Sequence, residues 1–253
     1  MPSRHLLGVP VSLLLLAGPA AAQELLPRFE VATLKISPPP TGDAISVNLG
    51  AFRNGRFTFA NVTLSDAVMY AFDLPSKELL AGIDWQDSVR FDVVALAPAE
   101  TPQPRLRLMV RQLLEERLAL ETVREQRTLR HIALVVDRNG SKMKEAIGPP
   151  ESIPQFPGRI NHKRMPMGLL ASLLSRFEHQ LIVDQTGLSG SYEVMLEWAP
   201  DVVAPPGDTA GPPADRPNLS TAVAEQLGLR LEGRRGPLEV VVITGASRTP
   251  AEN

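Results

Sequence analysis

The chain has no cysteine among its 253 residues. That excludes disulfide staples, thiol nucleophiles and thiolate metal sites, and it leaves packing alone to hold the core. Aromatic residues are scarce, with two Trp, two Tyr and eight Phe against 24 Pro. So much proline interrupts helices and favours short elements joined by stiff connectors. A large excess of one charge is missing too. The formal net charge is −2, and losing Arg4 with a leader would make the rest one unit more negative. Such a chain lacks the basic surplus that wholesale binding to nucleic acid or anionic membrane needs. Phosphate loops and dinucleotide fingerprints do not occur. Past residue 22 no apolar run approaches the about 20 residues that cross a bilayer, so no transmembrane segment is expected in the mature chain.

The start of the chain has the pattern of a secretory leader. Arg4 and His5 form a short basic region, Leu6 to Leu16 is mostly apolar, and Gly18-Pro19 ends any helix. Ala20-Ala21-Ala22 suits signal peptidase, so residues 1–22 are expected to be removed before Gln23. The mature protein would then be periplasmic or extracellular, since both destinations use the same signal.

The rest reads as one unit met four times: an amphipathic helix, a strand, a second strand. In the first copy Thr63 is an N-cap with Asp66 three positions on, and Leu64, Ala67, Val68, Ala71 and Phe72 share a helical face. Arg90 to Ala95 then alternates as a strand. In the second, Leu106, Met109, Val110, Leu113, Leu114 and Leu118 form the stripe, followed by strands at Leu120–Glu125 and His131–Asp137. The third has a helix through Leu169, Leu170, Leu173, Leu174 and Phe177. Its strands are Leu181–Val183 and Tyr192–Trp198, joined by a glycine-punctuated turn from Asp184 to Ser191. The fourth has Leu219, Ala222, Val223 and Leu227 on one face, Gly228 as the cap, and strands Leu229–Glu232 and Leu238–Ile243. Phe29–Ile36 and Phe52–Val62, around the Asn54-Gly55 turn signal, add strands before the first helix.

A helix with two strands buries one apolar face and needs a partner. The expected fold class is therefore α+β: two small domains, each a sheet packed with two helices and built from repeated helix–strand–strand units. The first would span 23–148, a proline-rich linker 149–160, and the second domain 161–253 with a proline-rich loop at 200–217.

No residue stands out as catalytic, cofactor-binding or metal-ligating, and no cofactor is expected. His131, His162 and His179 lack ligand spacing and read as surface or capping residues. Ser189 lies in Gly187-Leu188-Ser189-Gly190-Ser191, which misses the last glycine of a nucleophile elbow and precedes a strand where the elbow needs a helix. Asp84 and Asp87 flank Trp85, a grouping that a sugar hydrolase could use, although a loop tryptophan packed back onto the sheet is the favoured reading. Arg105, Arg107, Arg111, Lys163, Arg164, Arg234 and Arg235 read as solvated faces. The candidate contact loops are those holding Trp85 and Asp184, Gly187, Ser189, Gly190 and Tyr192.

Several stretches carry a resemblance. They are Phe29-Glu30-Val31-Ala32, Gly55-Arg56-Phe57-Thr58, Asn61-Val62-Thr63-Leu64, Leu113 to Leu118, Asp184 to Tyr192, Glu225 to Leu229 and Gly236 to Val240. Together they resemble a large family of exported bacterial proteins of unknown function, abundant in soil bacteria. Some relatives carry this region as the extracytoplasmic tail of a BlaR-type membrane metallopeptidase sensor. The helix–strand–strand unit is also similar, more loosely, to the short N-terminal domains of secretins and TonB-dependent receptors. The resemblance carries no established activity; export, the duplicated small α+β units and the missing catalytic constellation lead to the expectation of a non-catalytic binding or interaction module of the cell envelope, with an envelope protein or a small extracellular ligand as partner. The alternatives are a regulatory partner of an envelope sensor peptidase, or a metal-free secreted hydrolase built on Asp84 and Asp87.

Overall fold

The computed structural model describes residues 27–38, 47–148, 157–199 and 216–251. The expected leader, residues 149–156 of the expected linker and residues 200–215 of the second proline-rich stretch lie outside the described residues. Within them the chain is α+β. The first half contains β1 (Val31–Ile36), β2 (Asn48–Arg53), β3 (Arg56–Thr63), α1 (Leu64–Ala71), a 3-10 turn (Lys77–Leu79), β4 (Leu80–Ala81), β5 (Arg90–Leu96), α2 (Gln103–Leu118) and β6 (Glu121–Val136). The second contains β7 (Arg159–Pro166), α3 (Met167–Glu178), β8 (Ile182–Asp184), β9 (Ser191–Glu197), α4 (Leu219–Ala222), a π-helical turn (Val223–Leu227) and β10 (Leu229–Gly245).

The helices form where their capping and apolar spacing require. Thr63 Oγ1 accepts from the Asp66 amide, and the Asp66 carboxylate accepts from the Thr63 amide at 2.9 Å, so the expected capping box closes the start of α1. The stripe of α2 from Leu106 to Leu118 is fully buried, as its spacing predicts. Asn218 caps α4 by accepting from the Thr221 amide. Gly228 ends the π turn at φ +66°. Asn54 and Gly55 both adopt positive φ and turn β2 into β3 with Arg53 opposite Arg56.

Three sheets result. β1-β5-β3-β2 is antiparallel, with its inner face against α1 and α2. β7 and β9 pair antiparallel. The sheet β4-β10-β6-β8 joins them, with β6 and β10 antiparallel from Glu121–Gly245 to Val136–Leu229. At about 3.3 Å per residue this ribbon is roughly 50 Å long. β4 runs parallel to it at one end and β8 at the other.

Among the described residues two large hydrophobic cores form beside a small cluster of Ala97, Leu106 and Met109, and the ribbon enters both large ones. The first holds Phe57, Phe59, Leu64, Val68, Phe91 and Leu114, and it is closed by Val241 and Ile243 of β10. The second holds Met165, Leu170, Leu174, Val194, Leu196 and Trp198, together with Leu134 of β6 and Leu229 of β10. The middle of the ribbon, around Glu125 to Thr128 and Gly233 to Arg235, is exposed.

This differs from the expected arrangement in three ways. A boundary at 149–160 does not separate the cores, because the last strand crosses back to seal the first one, and residues 159–160 already belong to β7. The paired strands expected at 120–125 and 131–137 are one strand, as are those at 229–232 and 238–243. Glycine and proline at 233–237 read as a turn. The strand tolerates them because β4 covers only Val241 and Val242, so Pro237 sits where β10 is an open edge. Finally, the Asp184–Ser191 segment is not a hairpin. It carries the chain from β8, in the ribbon sheet, to β9, in the two-stranded one.

Candidate functional site

The contact loops expected from sequence are not brought together. Trp85 is only 7 % exposed and packs in the first core, with the Arg248 guanidinium 5.8 Å from its ring centre. It is a core residue and not a contact residue. Tyr192 is buried in the second core, and its hydroxyl donates to the Ser189 carbonyl at 3.1 Å. Asp184 folds its own loop by accepting from the amide and the hydroxyl of Thr186 at 2.9 and 2.8 Å. Gly187 and Gly190 take positive φ in that loop, and Ser189 is exposed. Of the six candidates, only the loop around Gly187, Ser189 and Gly190 presents a free surface.

The acidic pair beside Trp85 does not form a cleft. The Asp84 side chain is 86 % exposed, and Asp87 is held by Lys77 at 2.8 Å. Burial raises the Asp87 carboxyl, but the Lys77 ammonium outweighs it and holds the group below its usual value.

Two histidines also depart from expectation. His131 and His162 are buried, not exposed. Gln185 joins His131 Nε2 at 3.0 Å and receives Arg234 at 2.6 Å, which ties the β8 loop to the ribbon. Ser141-Lys142-Met143-Lys144 has the Ser-x-x-Lys spacing of some acyl transferases. It lies on irregular backbone, so the helical turn that would align the two side chains is absent. Among the described residues no group of three His, Cys, Asp or Glu is placed to hold a metal ion. No described helix is long and apolar enough to cross a membrane.

The site that does form lies between the two cores. A cleft of about 770 Å³ opens between α1 with the turn after it, β2 and α2 on one side, and the end of α3 on the other. One wall is apolar, made of Leu49, Met69, Leu74 and Pro75, with Leu49 58 % exposed. The polar end centres on Asp73. This residue follows α1 at φ +53°, a left-handed conformation that aspartate tolerates better than most side chains. Its amide donates to the Tyr70 carbonyl, and that of Leu74 to Met69, so the turn is held by its own backbone.

That turn presents the Asp73 carboxylate to two arginines. Arg107 Nη1 of α2 donates to Oδ2 at 2.6 Å, and Arg176 Nη2 of α3 donates to Oδ1 at 2.6 Å. Asp73 thereby links the two halves across the cleft. Tyr70, on the last turn of α1, donates to Gln103 Oε1 at 3.1 Å. Burial pushes its hydroxyl up to about 12, with Arg107 pulling the other way and Asp73 adding to the rise. The phenol stays protonated and remains a donor. His179, the left-handed cap of α3 at φ +51°, completes the rim.

Sequence reading missed this constellation because its members are distant in the chain. Arg107 was visible only as one of three basic residues on a helix, and His179 only as a helix terminus. Asp73 and Arg176 are 103 positions apart. The Asp73-Leu74-Pro75-Ser76 run was the one local clue, a turn signal just after a capped helix.

A family model described as a protein of unknown function (DUF3738) matches residues 65–246. No curated protein and no solved structure matches the chain.

Proposed function

We propose, from the premise that this chain belongs to the DUF3738 family of proteins of unknown function, that it is a non-catalytic binding module of the bacterial cell envelope. The inter-core cleft is its binding site. The observation that carries this reading is the form of the cleft: its volume falls within the range of small-molecule pockets, and an apolar wall meets a few convergent polar groups. The leader pattern at residues 1–22 supports an exported location. The likeness to the extracytoplasmic tails of BlaR-type sensors supports a role in capturing a ligand outside the cytoplasm.

The test is crosslinked capture of the tagged protein from an envelope fraction, with native mass spectrometry of the same sample. A Leu49→Asp variant is run in parallel, since Leu49 lines the cleft yet is exposed enough to be replaced without opening the core. The expected result is a ligand or partner retained by the parent protein and lost from the variant. Equal recovery from both would remove the cleft as the binding site, and an empty capture would remove the binding reading itself.

A further inference from the structure

We infer that the cleft selects a small anionic amphiphile, a single carboxylate on an apolar body, with the carboxylate held by Arg107 and Arg176. This rests on the cleft being the binding site and names the chemistry of its ligand.

The charge arrangement leads there. Two guanidiniums converge on the one carboxylate of Asp73. Each commits a single nitrogen to it, while a guanidinium carries five N–H donors. The trio holds one positive charge more than it neutralises, and most of its donors are uncommitted. Planar, forked guanidiniums suit a second carboxylate better than they suit a neutral or cationic head.

With Asp66, Glu78 and Lys77 counted the lining as a whole is formally neutral, so the surplus is local to the two arginines, whose ion-pair partner among the described residues is Asp73. The Asp66 carboxylate is occupied by the Thr63 amide and hydroxyl in the capping box of α1. Lys77 is paired with Asp87. Glu78 sits on the exposed 3-10 turn, where its amide is capped by Ser76. His179 lies on the same helix end as Arg176. The Tyr70 hydroxyl is a neutral donor beside Arg107. From this polar end the wall of Leu49, Met69, Leu74 and Pro75 continues as apolar surface, and a hydrocarbon or aromatic body would cover it.

Isothermal titration of the purified protein with decanoate, decanol and decyltrimethylammonium tests the inference. These probes share a tail and differ in the charge of the head. Decanoate should bind at least about tenfold tighter than the other two, the gain expected from charge-assisted hydrogen bonds to one head group. Arg107→Gln and Arg176→Gln should each weaken decanoate about tenfold and leave decanol unchanged. Asp73→Asn acts in the opposite direction: removing the competing carboxylate should tighten decanoate severalfold although the link between the cores is weakened. A variant that merely loosened the fold would not gain affinity, so this sign separates recognition from structure. Circular dichroism verifies folding, and Arg176→Lys replaces Arg176→Gln if the latter does not fold.

Equal binding of decanoate and decanol, both lost in Leu49→Asp, would overturn the anion inference and leave the cleft reading intact. Preference for the cationic probe would overturn it as well. Binding of none of the three would overturn it too, while envelope capture judges the cleft separately.

Discussion

Replacing Gly228 by alanine probes how the second core is closed, and Gly187 supplies its control. Both glycines sit in the left-handed region, at φ +66° and +69°. A Cβ in that region costs about 1 kcal/mol in either place. The surroundings differ. At Gly187 an added Cβ would meet nothing within 4 Å, whereas at Gly228 it would lie 2.4 Å from the Gly140 carbonyl oxygen and 2.8 Å from the Lys142 amide nitrogen. Those are backbone atoms and cannot swing aside. The 137–142 segment is tied to the cap by Asp137 N–H donating to Gly228 O and Lys142 N–H donating to Leu227 O, at 2.9 and 3.0 Å. Making room means stretching both bonds, each worth about 1 kcal/mol net. Gly228→Ala should therefore cost about 3 kcal/mol and Gly187→Ala about 1 kcal/mol. For a chain of this size that corresponds to Tm losses of about 6–12 °C and about 2–4 °C. Scanning calorimetry of the two variants beside the parent measures both. Equal losses would refute the reasoning, because they would mean that the 137–142 segment gives way freely and that Gly228 is required only for its backbone angle.

Tyr70 should titrate late. Its folded pKa lies above the ordinary 10.0, at about 12, so its contribution to stability is complete below pH 10 and is lost as the pH rises towards 12. Phenolate absorbance should show a late ionisation that disappears in Tyr70→Phe, and persistence of that step in the variant would place it on another residue. The two tryptophans provide a second test, since Trp85 lies in the first core and Trp198, whose indole donates to Glu178 at 2.6 Å, lies in the second. In urea, Trp85→Phe and Trp198→Phe should each show fluorescence and circular dichroism transitions that coincide, because β6 and β10 belong to both cores. A fluorescence transition separated from the dichroism change would show that the cores melt independently.

What could be read from the sequence was local. The Thr63–Asp66 box, the α2 stripe, the Asn54-Gly55 turn, the Gly228 cap and the alternation of β9 all depend on residues within a few positions of one another. They appear in the structure where the spacing puts them. Continuity of β6 and β10 was not legible. Glycine-proline at 236–237 is a turn signal unless the strand is an open edge there, and that depends on how briefly β4 pairs with it. His131 reads as a surface residue because Ile132, Leu134 and Val136 take the other face of the strand, yet Gln185 from a distant loop gives it a hydrogen-bonding partner and allows its burial. Trp85, flanked by two acids, looked like a binding residue, but its ring is drawn into the core and only the acids remain outside. The cleft was hidden for the same reason: the turn after α1, α2 and α3 each supply one member of the Asp73 trio, and no local pattern links them.

The ribbon also fixes an order of assembly. During synthesis the residues that seal the first core, Val241 and Ile243, emerge after the whole of the second. Pairing Glu121 with Gly245 closes a loop that contains both α3 and α4. Contacts so remote in sequence make folding slow, and they deny the growing chain any finished half to fold around. A polypeptide with this layout stays open until its last strand is available. The corollary is a shared vulnerability: a backbone cut between α4 and β10 that frees β10 strips one wall from each core, so both halves should fail together.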